Sequence, residues 1–147
     1  MTDNSDLIPS ISFVEKHNKI LIEALREFDA ATWARQSYCP GWTASHVISH
    51  MTLGARFYAH TIEHGRAGEL SIPFGAKDVP EFRSIRMTMM DELIALSGGE
   101  RVDRFEAAAN DLQDTFATIK PEDLNKPAFH PRGPTPVKYF PGQRFYE

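Results

Sequence analysis

Four histidines fall into two pairs of one spacing: His46 with His50, and His60 with His64. Residues four apart lie one above the other on a helix face, so either pair could offer two imidazole nitrogens to a divalent metal from one side. That spacing is a weak signal, and His46, His60 and His64 read as partly exposed polar residues. His50 differs because it borders the apolar face of its helix, where a polar ring needs a partner. It is the candidate metal ligand. A catalytic metal takes three protein ligands and keeps an open position for water or substrate, so the other two donors must come from elsewhere in the chain. Cys39 is a conceivable nucleophile near a helix start, which favours thiolate. It precedes the cap by several residues and reads as a packed loop thiol. Ser45 and Ser49 neighbour histidines, but adjacency along a helix does not make a catalytic triad. No phosphate-binding glycine loop, dinucleotide fingerprint or Cys-x-x-Cys pair is present.

The stretch Cys39-Pro40-Gly41-Trp42-Thr43-Ala44-Ser45-His46 must position His50. Pro40-Gly41 makes a turn. Thr43 is placed to cap a helix through its hydroxyl, and Trp42, a buried-looking residue just outside the cap, can pack back on the first turns. That helix is expected from Ala44 to His64, with Gly65 as a left-handed cap and Ala44, Val47, Met51, Tyr58 and Ile62 as its core stripe. An earlier helix is expected from Pro9 to Asp29, carrying Ile11, Val14, Leu21, Leu25 and Phe28. After a connection over 65–78, Asp78 caps a short helix whose apolar side is Phe82, Ile85, Met89, Leu93 and Leu96. Gly98-Gly99 interrupts the chain. A further helix, Glu100 to Ile119, presents Phe105, Ala108, Leu112, Phe116 and Ile119. Residues 125–142 are punctuated by Pro127, Pro131, Gly133, Pro134, Pro136, Pro141 and Gly142 and read as a surface loop. Gln143 to Glu147 reads as the beginning of a last helix.

The chain has 147 residues, a net charge of −4 and a single cysteine. Such a length fits one domain, 1–147, with a real core. No basic run attracts phosphate backbones, so nucleic acid is not an expected partner. No apolar run approaches the ~20 residues of a membrane span. A lone cysteine and a polar first segment point to the cytoplasm.

Pro40-Gly41-Trp42-Thr43, with His50 seven residues after Thr43, resembles the N-terminal metal-binding domain of mycothiol-dependent maleylpyruvate isomerases, within the DinB-like superfamily of four-helix bundles. The run from Phe82 to Leu124, with its Ser97-Gly98-Gly99 break and Pro121-Glu122-Asp123-Leu124, extends the likeness. The resemblance implies an all-α bundle, here apparently truncated at the start of helix four, with an extra short helix between helices two and three. It implies a divalent metal, zinc or nickel, held by one histidine of helix two and by a Glu-x-x-x-His pair of helix four. His50 matches the first and Glu147 the glutamate; the second histidine would fall four residues past Glu147. Trp42 and Thr43 would support the site. The implied activity is that of a transferase or isomerase that uses mycothiol or another small thiol on a small electrophile. The alternative is a non-catalytic DinB-like interaction module that has lost the metal. A bundle short of one helix would leave apolar stripes uncovered, which predicts a homodimer or a second chain completing it.

Overall fold

A computed structural model describes residues 7–146 of the chain. The described residues form six helices and one two-stranded hairpin. Helix α1 (Leu7–Arg26) ends three residues short of the expected Asp29. Asp29 starts something else: its Oδ1 accepts the Thr32 N–H at 2.8 Å and opens the single turn of α2 (Ala30–Trp33). A short carboxylate that reaches its own backbone competes with helix continuation.

Helix α3 (Ala44–Arg66) runs through the middle of the bundle. It packs most extensively on α5 (Gly98–Ala117), and also on α4 (Val79–Ala95) and on strand β1 (Pro127–Ala128). A helix covered on several sides cannot bury just one stripe. Tyr58 and Ile62 are buried as expected, but so are Ile48, Leu53, Ala55 and Phe57, while Ala44, Val47 and Met51 are only half-buried. The small residues Ser45, Ser49, Thr52 and Thr61 are buried with them and keep the neighbouring backbones close. On α5 the expected residues Phe105, Ala108, Leu112 and Phe116 are buried, as is Ile119 just beyond its end. Helix α4 has 17 residues, so the extra helix between the second and third long ones is not short.

Two glycines act differently from their sequence reading. Gly65 is not a left-handed cap; α3 continues through it to Arg66, and the positive φ comes two residues past the helix end, at Gly68. A Cβ at Gly65 would stand 2.6 Å from Ala128 Cβ and 2.9 Å from the Pro127 carbonyl oxygen, so the missing side chain is where β1 crosses the helix. Gly98 does not break a helix either. It begins α5, capped by Ser97 in a reciprocal pair with Glu100, and the Trp33 indole occupies the space its side chain would need.

The proline-rich segment is more than a loop over the surface. β1 pairs antiparallel with β2 (Thr135–Pro136), and Ala128, Val137 and Phe140 are fully buried. Its backbone groups find partners off the sheet: Thr61 Oγ1 donates to Phe129 O at 2.5 Å, and Val137 N to Lys126 O at 3.0 Å. Prolines keep each strand here to two residues but do not prevent burial, once each remaining N–H and C=O is paired. Helix α6 (Phe140–Phe145) starts before Pro141-Gly142 rather than after it, because a proline in the first helical turn removes no hydrogen bond.

The core has two clusters. One joins Phe57, Tyr58, Phe82, Leu112 and Phe116 to Val137 and Phe140; the other joins Leu25, Trp33 and Ile48 to Val102 and Phe105. Arg101 is buried beside the second. Its guanidinium lies 4.8 Å over the Trp33 ring and donates to the carbonyls of Leu93, Ile94 and Leu96, which closes the C-terminal end of α4. No helix among the described residues is long and apolar enough to cross a membrane.

Candidate functional site

The chain before α3 is tied down by its own backbone. Gln36 Nε2 donates to the carbonyls of Ser37, Cys39 and Trp42, Ala44 N donates to Arg35 O at 3.1 Å, and Gly41 takes φ +79°. Cys39 sits in this tight turn and is exposed, so it is not the packed thiol expected; the turn aims it outward. Thr43 is the cap, as its sequence position suggests: its Oγ1 accepts the His46 N–H at 3.5 Å. The reciprocal bond comes from His46, whose Nδ1 accepts the Thr43 N–H at 3.2 Å. A histidine here does what glutamate does in the usual capping box. His46 thus commits Nδ1 to the helix start.

Trp42 is half-buried rather than buried; the buried tryptophan is Trp33. The Trp42 ring reaches past the cap to His46, at 6.3 Å between centroids, and to His50, at 5.3 Å. It therefore supports the His50 ring directly.

His50 lines a cavity of about 110 Å³ with Phe57 and Tyr58 of its own helix, Phe82 and Arg86 of α4, and His130 of the hairpin loop. Arg86 is half-buried, and it takes part in none of the ion pairs among the described residues. His130 Nδ1 accepts the Arg132 N–H at 3.1 Å, which leaves the ring proton of the neutral form on Nε2. Burial holds the His130 pKa below its usual 6.5, and the nearby Arg132 adds to this. The ring packs edge-on to Phe57 at 6.1 Å. Its place depends on the close crossing of β1 over Gly65 and on the Thr61–Phe129 bond just before it.

The sequence offered His50 as a candidate ligand and Trp42 and Thr43 as its supports; it did not point to Arg86 or His130, which share the cavity with His50. The polar–apolar mixture Ala128-Phe129-His130-Pro131 was the available signal, but the surrounding prolines masked it. Glu147 lies outside the described residues. Among the described residues no three His, Cys, Asp or Glu side chains converge as a metal site. His60 and His64 stand apart from the cavity, with His60 Nε2 at 3.0 Å from Ser71 Oγ and His64 Nδ1 at 3.0 Å from Glu69 Oε2.

Fold and site together define an all-α bundle whose central helix brings an imidazole into a small aromatic cavity beside a guanidinium. The family model for the mycothiol maleylpyruvate isomerase N-terminal domain matches residues 16–147, and the chain belongs to that family. The fold is also that of the solved mycothiol-dependent maleylpyruvate isomerase, with a TM-score of 0.80 and 17% identity, over 99% of this chain and 60% of that one. A histidine-to-alanine mutant of such an isomerase superposes as well, with a TM-score of 0.80 and 16% identity, over 99% of this chain and 59% of that one. The chain thus spans about three-fifths of the length of these structures. No curated protein matches it by sequence.

Proposed function

We propose that the chain is a metal-dependent domain that presents a small thiol, mycothiol or a relative of it, to a small electrophile carrying a carboxylate. The supporting observation is the pairing of His50 with Arg86 on the walls of one cavity. A histidine in an otherwise aromatic wall, on a helix whose start is clamped by Thr43 and Trp42, has the donor type and rigidity that zinc or nickel takes. His50 and Glu147 would be the ligands from this chain. When bound, such an ion lowers the pKa of a coordinated thiol and supplies thiolate at neutral pH.

The chain's own residues account for the rest. The Arg86 guanidinium is a charged donor that carboxylates pair with in bidentate fashion. His130, neutral near pH 7, offers Nε2–H to an oxygen of the electrophile and stabilises charge that develops there. Phe57 and Phe82 exclude water, which strengthens both interactions.

Metal analysis of untagged protein tests the reading. Wild type should hold about one equivalent of zinc or nickel more than His50→Ala. Equal contents in the two would remove the metal-thiol reading and leave the interaction module. That second reading has its own support in an apolar groove of about 620 Å³ between α1 and α3, bordered by the exposed Phe13, Ile20 and Phe145. A second copy of the chain is the occupant proposed for it, and a stable monomer in sedimentation at micromolar concentration would rule that out. The cytoplasm is the proposed compartment, where the free and exposed Cys39 stays reduced.

A further inference from the structure

We propose that His60 and His64 form a second metal site, separate from the His50 cavity, that takes a divalent ion of tetragonal preference, copper(II) ahead of nickel(II). The two rings lie on one face at the C-terminal end of α3, with centroids 4.2 Å apart. With metal–nitrogen bonds of about 2.0–2.1 Å, an imidazole centre stands about 3.2 Å from its ion. Two such rings at a right angle around one ion are then about 4.5 Å apart, and about 5.2 Å apart at a tetrahedral angle. The observed separation is within a few tenths of an ångström of the first and a full ångström short of the second. Square-planar geometry is the one copper(II) and nickel(II) prefer.

The surroundings suit a ligand pair. The Glu69 carboxylate meets His64 Nδ1, which fixes the proton there and leaves Nε2 as the lone-pair nitrogen. Metal-binding histidines are oriented by a carboxylate in this way. On His60 the Ser71 hydroxyl meets Nε2, which leaves Nδ1 as the ring's other nitrogen for an ion. His60 is half-buried. The two nitrogens left over belong to one helix, on side chains four residues apart. Solvent and small anions would fill the other equatorial positions.

The test is a copper(II) titration of the full chain, without an affinity tag, followed by calorimetry and by electron paramagnetic resonance. In His50→Ala the expected result is one ion with hyperfine structure from two nitrogens, and in wild type the same signal beside any ion held at His50. His64→Ala should weaken binding roughly a hundredfold, because the second ligand on the same helix acts at high effective concentration. Glu69→Gln should weaken it by about tenfold. His60→Gln, which keeps a hydrogen bond to Ser71, should also abolish the two-nitrogen spectrum with the fold intact by circular dichroism. If His64→Ala and His60→Gln bind copper(II) as wild type does, or if the signal disappears in His50→Ala instead, the site does not exist.

Discussion

The crossing of β1 over α3 at Gly65 can be probed by one added methyl group. In an open helix interior Gly→Ala stabilises by about 1 kcal/mol through backbone entropy. At Gly65 the new Cβ would lie 2.6 Å from Ala128 Cβ and 2.9 Å from both Ala128 Cα and the Pro127 oxygen. Ordinary carbon contacts are about 3.5–4.0 Å, so the strand must retreat by about 1 Å. Two of the three opposing atoms are backbone and cannot rotate away. Overpacking of this kind costs about 1–3 kcal/mol, and the rigid neighbours place Gly65→Ala in the upper half of that range. After subtracting the helix gain, a loss of about 1–2 kcal/mol remains, or about 3–6 °C in melting temperature for a chain of this size. Gly99→Ala is the control: it is helical, meets nothing within 4 Å, and should be neutral or stabilising. His130 follows two residues after the strand that retreats, so the His130 ring resonances should shift in Gly65→Ala and not in Gly99→Ala. Thr61→Val, which removes the bond to Phe129 O, should couple to Gly65→Ala in a double-mutant cycle because both hold the same strand. A Gly65→Ala protein as stable as Gly99→Ala, with unmoved His130 resonances, would refute this account of the loop.

Thr43→Ala should cost about 1 kcal/mol by urea denaturation, the ordinary worth of a helix cap, and His46→Ala should lose part of the same energy because it closes the other half of the box. Arg101→Met should cost about 2–4 kcal/mol, since three carbonyls at the end of α4 lose a charged donor, and hydrogen exchange should accelerate in the last turn of α4 before anywhere else. Burial pushes the Asp123 pKa up, but the Lys126 hydrogen bond, the Lys120 N–H and the charges of Arg66 and Lys126 together outweigh it and hold the carboxyl below its usual 3.8. Its stabilisation is therefore complete above that usual value and lost as pH falls through the lower folded one, so Asp123→Asn should be less stable than wild type at pH 7 and converge with it in acid. His130 behaves with the same sign around its usual 6.5: the fold favours the neutral ring, so stability should fall as pH drops below that value, and His130→Gln should flatten this part of the profile.

Sequence by itself determined the helical class, the capped start at Thr43 and the buried face of α5, and it singled out His50 as a candidate ligand. These rest on local rules: a hydroxyl within reach of the next turn's N–H groups, and apolar residues recurring with the helix period. Tertiary structure decided the rest. Gly65 and Gly98 look like chain breakers until a strand and an indole are seen in the space they leave. Trp33 and not Trp42 is the buried indole, because α2 turns it into the core. The cavity needs Arg86 from one helix and His130 from a proline-rich segment more than forty residues later. No periodicity links two such positions. Only the packing of α3 against α4 and the hairpin brings their side chains to the cavity that His50 lines.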